Sequence, residues 1–141
     1  MKKIFSVRTL PIEVDFALFL VRIVCGYAFI LHGWGKIQHP FGWMGEQSTM
    51  PAIFQAAAAV SEFGGGIALV LGFLTRLGAV GIGCTMLVAV YIHCCIKGDP
   101  FVSRGGASYE LAAVFLCIAI LIVIAGPGRF SIDRKAFGIT T

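Results

Sequence analysis

The chemistry this sequence can carry lies in a few ionisable side chains placed inside, or at the edges of, long apolar runs. Arg22 and Glu62 each interrupt such a run. A charge at the centre of a bilayer costs about 2.5–3.5 kcal/mol on insertion scales, so these groups pair or serve a site. Counted from helix ends at His32 and Pro51, the two lie at a matched depth of ~15 Å, at 1.5 Å per residue. Opposite charges at one depth predict an ion pair between the first two helices. Ala58, Ala59, Gly65 and Gly66 around Glu62, with Gly26 one turn after Arg22, leave room for close approach. Such a pair either fixes helix packing or faces a substrate and handles protons.

A second group gathers near the ends of these runs. His32 and Lys36 are four apart, as are His93 and Lys97, and Glu110 opens the last run. Residues at i and i+4 share a helix face. Antiparallel threading therefore predicts one level holding two imidazoles, two ammoniums and a carboxylate, in a polar cavity that opens outward. Two histidines and a carboxylate are plausible metal ligands. There is no HxxxH or HxH, however, and two ammoniums repel a cation, so no metal is expected. A haem would need an axial histidine near mid-membrane, and none lies there. A net-positive cluster suits an anion or an electron-rich carbonyl, and a quinone head group is the candidate ligand.

The elements that must position these groups are membrane helices. The chain has 141 residues, 58% of them hydrophobic and 13% charged, with a mean hydropathy of +0.92. Soluble domains carry roughly 25% charged residues, and a chain this small has too little interior for so much apolar surface. Disorder, collagen, a soluble enzyme and a nucleic-acid binder are excluded. Apolar runs at 16–33, 52–74, 77–96 and 109–126 approach the ~20 residues needed to cross ~30 Å of hydrocarbon. Lipid does not satisfy open sheet edges, and the runs lack the alternation of a barrel strand. The fold class is all-α: a single domain forming an antiparallel four-helix transmembrane bundle.

Charge sets its orientation. Lys2, Lys3, Arg8, Arg76, Arg129, Arg134 and Lys135 fall on one side, against Lys36, Lys97 and Arg104 on the other. The richer side is read as cytoplasmic, giving N-in and C-in. The apolar stretch after Lys2 and Lys3 starts late, carries Arg22 and meets no small-residue cleavage site, so it reads as an uncleaved first span. Trp34, Trp43, Tyr91 and Tyr109 map to the outer interface. The loop at 34–51, with Pro40, Gly42, Gly45 and Pro51, is long enough to fold over the outer mouth. Thr75–Arg76 makes a tight inner turn. Gly126 and Pro127 stop the last helix, Arg129 meets headgroups or carbonyls, and Asp133 has Arg129, Arg134 or Arg76 as candidate partners. The five cysteines show no CxxC and read as small buried side chains, with a redox role open only for Cys94 and Cys95.

His32-Gly33-x-x-Lys36, Glu62 before Gly64-Gly65-Gly66, Gly72-Phe73-Leu74-Thr75-Arg76, Glu110 after Gly106-Ala107-Ser108-Tyr109, and Gly126-Pro127-Gly128-Arg129-Phe130-Ser131-Ile132-Asp133 follow one another in this order. The combination resembles the DoxX family over about residues 14–135. That resemblance implies a small four-helix protein of a bacterial or archaeal inner membrane. It also implies association with quinone-linked oxidoreductases, with electrons coming from a partner subunit, since the chain has no haem, flavin or nucleotide motif. Ligand-binding candidates are then Arg22, His32, Lys36, Glu62, His93 and Glu110, with quinone as the non-covalent ligand. The partners are the bilayer, a redox protein or further copies of the chain. The alternatives are a non-enzymatic scaffold for redox enzymes and, in an oligomer, a small-solute transporter.

Overall fold

The computed structural model describes residues 7–140; Lys2 and Lys3 of the basic N-terminal segment lie outside them. The described chain is all-α apart from one two-residue parallel bridge. Its elements are β1 (Val7–Arg8), α1 (Ile12–Gln38), α2 (Ala52–Leu71), α3 (Thr75–Tyr91), α4 (Glu110–Ala125), α5 (Ile132–Phe137) and β2 (Ile139–Thr140), with β1 paired to β2. A π-helical turn, Ile92–Lys97, continues α3. Three stretches, Ile12–Gln38, Ala52–Leu71 and Thr75–Lys97, are long and apolar enough to cross a membrane, and the apolar helix Glu110–Ala125 is shorter.

The helices do not end where the apolar runs end. α1 reaches four residues before Phe16 and five beyond Gly33, because Glu13 and Asp15 suit the positive end of the helix dipole and Lys36 its negative end. α2 stops at Leu71, since Gly72 takes the left-handed conformation (φ 66°) and its N–H folds back onto the carbonyls of Ala68 and Leu69. Leu74 also adopts positive φ (50°), which turns the chain directly into α3.

Glycines set the helix register. A Cβ on Gly33 would lie 2.5 Å from the backbone nitrogen of Phe63, and one on Gly26 would lie 2.7 Å from the carbonyl of Gly66. Thus α1 and α2 meet backbone to backbone, running in opposite senses. Gly65 turns the other way and meets Gly78 and Ile82 of α3. It does not open α2 towards α1, as the small residues around Glu62 suggested. Phe29, Leu69, Ile82, Met86 and Ile122 fill the centre, and the rings of Phe29 and Phe115 lie 4.8 Å apart.

Large apolar side chains also face outward, among them Val24 (67% exposed) and Ile53 (68%). Of the cysteines only Cys25 is buried; Cys84, Cys94, Cys95 and Cys117 are exposed, contrary to the expectation of five buried thiols. Hydropathy alone does not separate a core face from a lipid face when both are apolar.

Candidate functional site

The expected Arg22–Glu62 ion pair is absent. Arg22 serves the tail end of the α1–α2 pair, whereas Glu62, midway along α2, faces the last turns of α1. Arg22 is fully buried. Its Nε donates to the Leu69 carbonyl at 3.0 Å, one Nη to Pro127 and the other to the Phe130 carbonyl at 3.0 Å. It thereby satisfies the C-terminal end of α2 and holds the segment after α4 in place. The register explains the difference: α1 continues to Gln38, so Arg22 lies deeper than a count from His32 implies. Lys36, about 21 Å further along α1 at 1.5 Å per residue, is the residue that comes level with Glu62.

The rest of this tail end is a polar lock. Asp15, fully buried, forms an ion pair with Arg129, whose Nε lies 2.7 Å from Oδ2, and accepts the Arg129 backbone N–H through Oδ1 at 2.9 Å. The Asp133 carboxylate turns to the backbone, where the sequence suggested an arginine partner. It accepts the N–H groups of Leu74 (2.7 Å) and Thr75 (3.0 Å) and caps the start of α3 from outside the helix. Thr75 is fully buried there. Arg76 Nε donates to the Val123 carbonyl at 3.1 Å, and its guanidinium packs against Gly126, where a Cβ would lie 2.6 Å from Nη2.

The opposite, loop end holds the site. Lys36 Nζ lies 2.6 and 2.7 Å from the two oxygens of Glu62. The Glu62 side chain is only 3% exposed, against 25% for Lys36. The Trp43 ring caps the ammonium at 4.4 Å from its centroid, a cation–π contact. The indole N–H donates to the Gln55 carbonyl at 2.9 Å. The buried Gln55 amide accepts from Met44 N–H at 3.1 Å and donates to the Met50 carbonyl at 2.9 Å. One glutamine in the first turn of α2 thus seats the 39–51 loop and fixes Trp43. Between α1 and this loop lies an open groove of about 610 Å³, lined by Leu31, His32, Gly35, Lys36, His39, Gly42, Trp43 and Gly45.

His32 and Lys36 are therefore brought together, but His93, Lys97 and Glu110 do not line this groove. His93 Nδ1 lies 2.6 Å from Asp99 Oδ2, and the N–H of Asp99 donates to the His93 carbonyl at 2.9 Å. The π-helical turn closes this pair locally. Glu110 is exposed at the start of α4, with its N–H on the Phe101 carbonyl at 3.0 Å. The single polar level expected from sequence is thus two separate clusters. Among the described residues no three His, Cys, Asp or Glu side chains form a group able to hold a metal.

A DoxX family profile matches residues 17–94, from α1 through the Lys36–Glu62 site to the π-helical turn. The chain belongs to the DoxX family. It is 34% identical over 126 residues to the inner membrane protein YqjF of Escherichia coli, covering 85% of this chain and 92% of that protein. An uncharacterised protein of Haemophilus influenzae is 33% identical over 124 residues, covering 85% and 90%. The inner membrane protein YphA of Escherichia coli is 31% identical over 128 residues, covering 84% and 89%. No solved structure matches the chain. With these relatives and its apolar helices, this DoxX-family chain is a multi-pass protein of the inner membrane.

Sequence reasoning missed Asp15, His39, Gln55 and Asp99. Gln55 carried a signal, as a polar residue near the start of an apolar run that must find partners once buried. Asp99 lies just past Gly98, the left-handed residue (φ 68°) that ends the π-helical turn and folds the chain back on His93. Asp15 meets Arg129 from the far end of the chain, and no local pattern announces that contact.

Proposed function

We propose that this DoxX-family protein is a four-helix antiparallel transmembrane bundle with both termini cytoplasmic. Its loop-end groove then binds a quinone or a similar small redox-active molecule at the outer face of the membrane. The orientation is supported by Arg76, Arg129, Arg134 and Lys135, which gather at the tail end. The observation that carries the binding reading is the groove itself. It places two imidazoles, His32 and His39, beside an indole face, and it borders Leu31, which is 59% exposed. Imidazoles donate to a quinone carbonyl, the indole stacks on a flat ring, and the exposed apolar flank of α1 accepts a tail. Electrons come from a partner redox protein. Arg22, Glu62, His93 and Glu110 leave the ligand set, and Trp43 and His39 join it.

A non-enzymatic scaffold is favoured by a different observation: Arg22, Glu62, Asp15 and Asp133 are each engaged by groups of the protein itself. The same lock at the tail end argues against a transport path. Titration of the purified protein in lipid nanodiscs with a short-chain benzoquinone separates the readings. A saturable signal that His32→Ala and Trp43→Phe each weaken supports the groove. No saturable binding supports the scaffold.

A further inference from the structure

We infer that Glu62 sets the charge selectivity of the loop-end groove, making it a site for uncharged ligands; this rests on the groove being a ligand site. By composition the groove is cationic, because Lys36 is its one ammonium side chain. The geometry removes that charge. Glu62 accepts from Lys36 Nζ through both oxygens, at 2.6 and 2.7 Å, and the Trp43 ring covers the ammonium from another side. A lysine has three N–H donors, so little capacity is left for a ligand anion. The Glu62 side chain is 3% exposed, so it neutralises Lys36 from behind without itself offering an oxygen to the ligand. An anion entering the groove would lose hydration and find an ammonium already neutralised. A neutral carbonyl needs only a hydrogen bond from His32 or His39.

Selectivity here is therefore built against a competitor rather than for one ligand. Glu62→Gln leaves a side chain of the same shape and frees the Lys36 charge. The protein in nanodiscs, titrated with a neutral short-chain benzoquinone and with a sulfonated naphthoquinone, tests this directly. The expected result is a preference for the neutral probe in the parent protein. In Glu62→Gln the ratio should shift towards the anionic probe by about tenfold or more, the effect of one hydrogen bond to a charged group. Lys36→Met/Glu62→Leu, which has neither charge, should keep the neutral preference and guards against a Glu62→Gln variant that fails to fold. An unchanged ratio in folded Glu62→Gln, or a parent protein that prefers the anion, would overturn the inference while leaving the groove as a binding site. Loss of the neutral preference in the double variant would also overturn it. Absence of binding by either probe to the parent protein removes the groove reading itself, and this inference with it.

Discussion

The ammonium of Lys36 rests on both oxygens of Glu62, at 2.6 and 2.7 Å, with the carboxylate side chain almost wholly buried. This contact joins the last turns of α1 to the middle of α2. Removing one partner leaves a buried charge without its counter-ion, which costs about 3–5 kcal/mol, whereas replacing both by apolar groups is near neutral. Lys36→Met should therefore lower stability strongly, and Lys36→Met/Glu62→Leu should recover most of the loss. Thermal unfolding in detergent compares the two; a double variant no more stable than the single would contradict this account.

Arg22 acts independently of Glu62. It holds three backbone carbonyls with one planar fork, which an ammonium does not reproduce. Arg22→Lys should destabilise the protein by about 2–4 kcal/mol. In a double-mutant cycle between Arg22→Lys and Glu62→Gln, the coupling should stay below about 0.5 kcal/mol. A coupling well above that would restore the direct pair.

Asp133 ties the tail to the α2–α3 turn through the N–H groups of Leu74 and Thr75. Loss of such a cap costs about 1–2 kcal/mol. Asp133→Ala should show that loss, and Asp133→Asn, which keeps one carbonyl acceptor, a smaller one. Amide hydrogen exchange at Leu74 and Thr75 should quicken first, and protection unchanged at both would count against the cap.

Gly33 and Gly64 make opposite demands. A Cβ at Gly33 would lie 2.5 Å from the Phe63 backbone, while one at Gly64 meets nothing within 4 Å. Gly33→Ala should cost about 1–3 kcal/mol as overpacking. Gly64→Ala should be neutral or gain up to about 1 kcal/mol from helix propensity. Equal effects on the unfolding midpoint would contradict the backbone contact between α1 and α2.

Cysteine labelling tests the orientation. With both termini cytoplasmic, a membrane-impermeant maleimide added to spheroplasts should modify single-cysteine forms retaining Cys94 or Cys95, at the exposed end of α3. Cys25, buried in the core, should stay unmodified. Labelling of Cys94 and Cys95 only after the membrane is opened would reverse the topology.

Hydropathy and helix length are local properties that survive any arrangement of neighbours, so the class of molecule was legible in the sequence. It marked Arg22, Glu62, His32 and Lys36 as residues that must find partners, since an ionisable group in an apolar run seldom stays alone. It also carried the family, through the spacing of short motifs. Which charge met which was decided by tertiary structure. The glycine contacts at Gly26, Gly33 and Gly66 fix the sliding register of α1 against α2, and a helix that runs on to Gln38 shifts every depth counted from an assumed end. That shift sends Arg22 to the carbonyls of the tail and puts Lys36 on Glu62. The Gln55 seat for the 39–51 loop and the Asp15–Arg129 pair depend on chain segments that meet only after packing. No periodicity along the sequence encodes a contact of that kind.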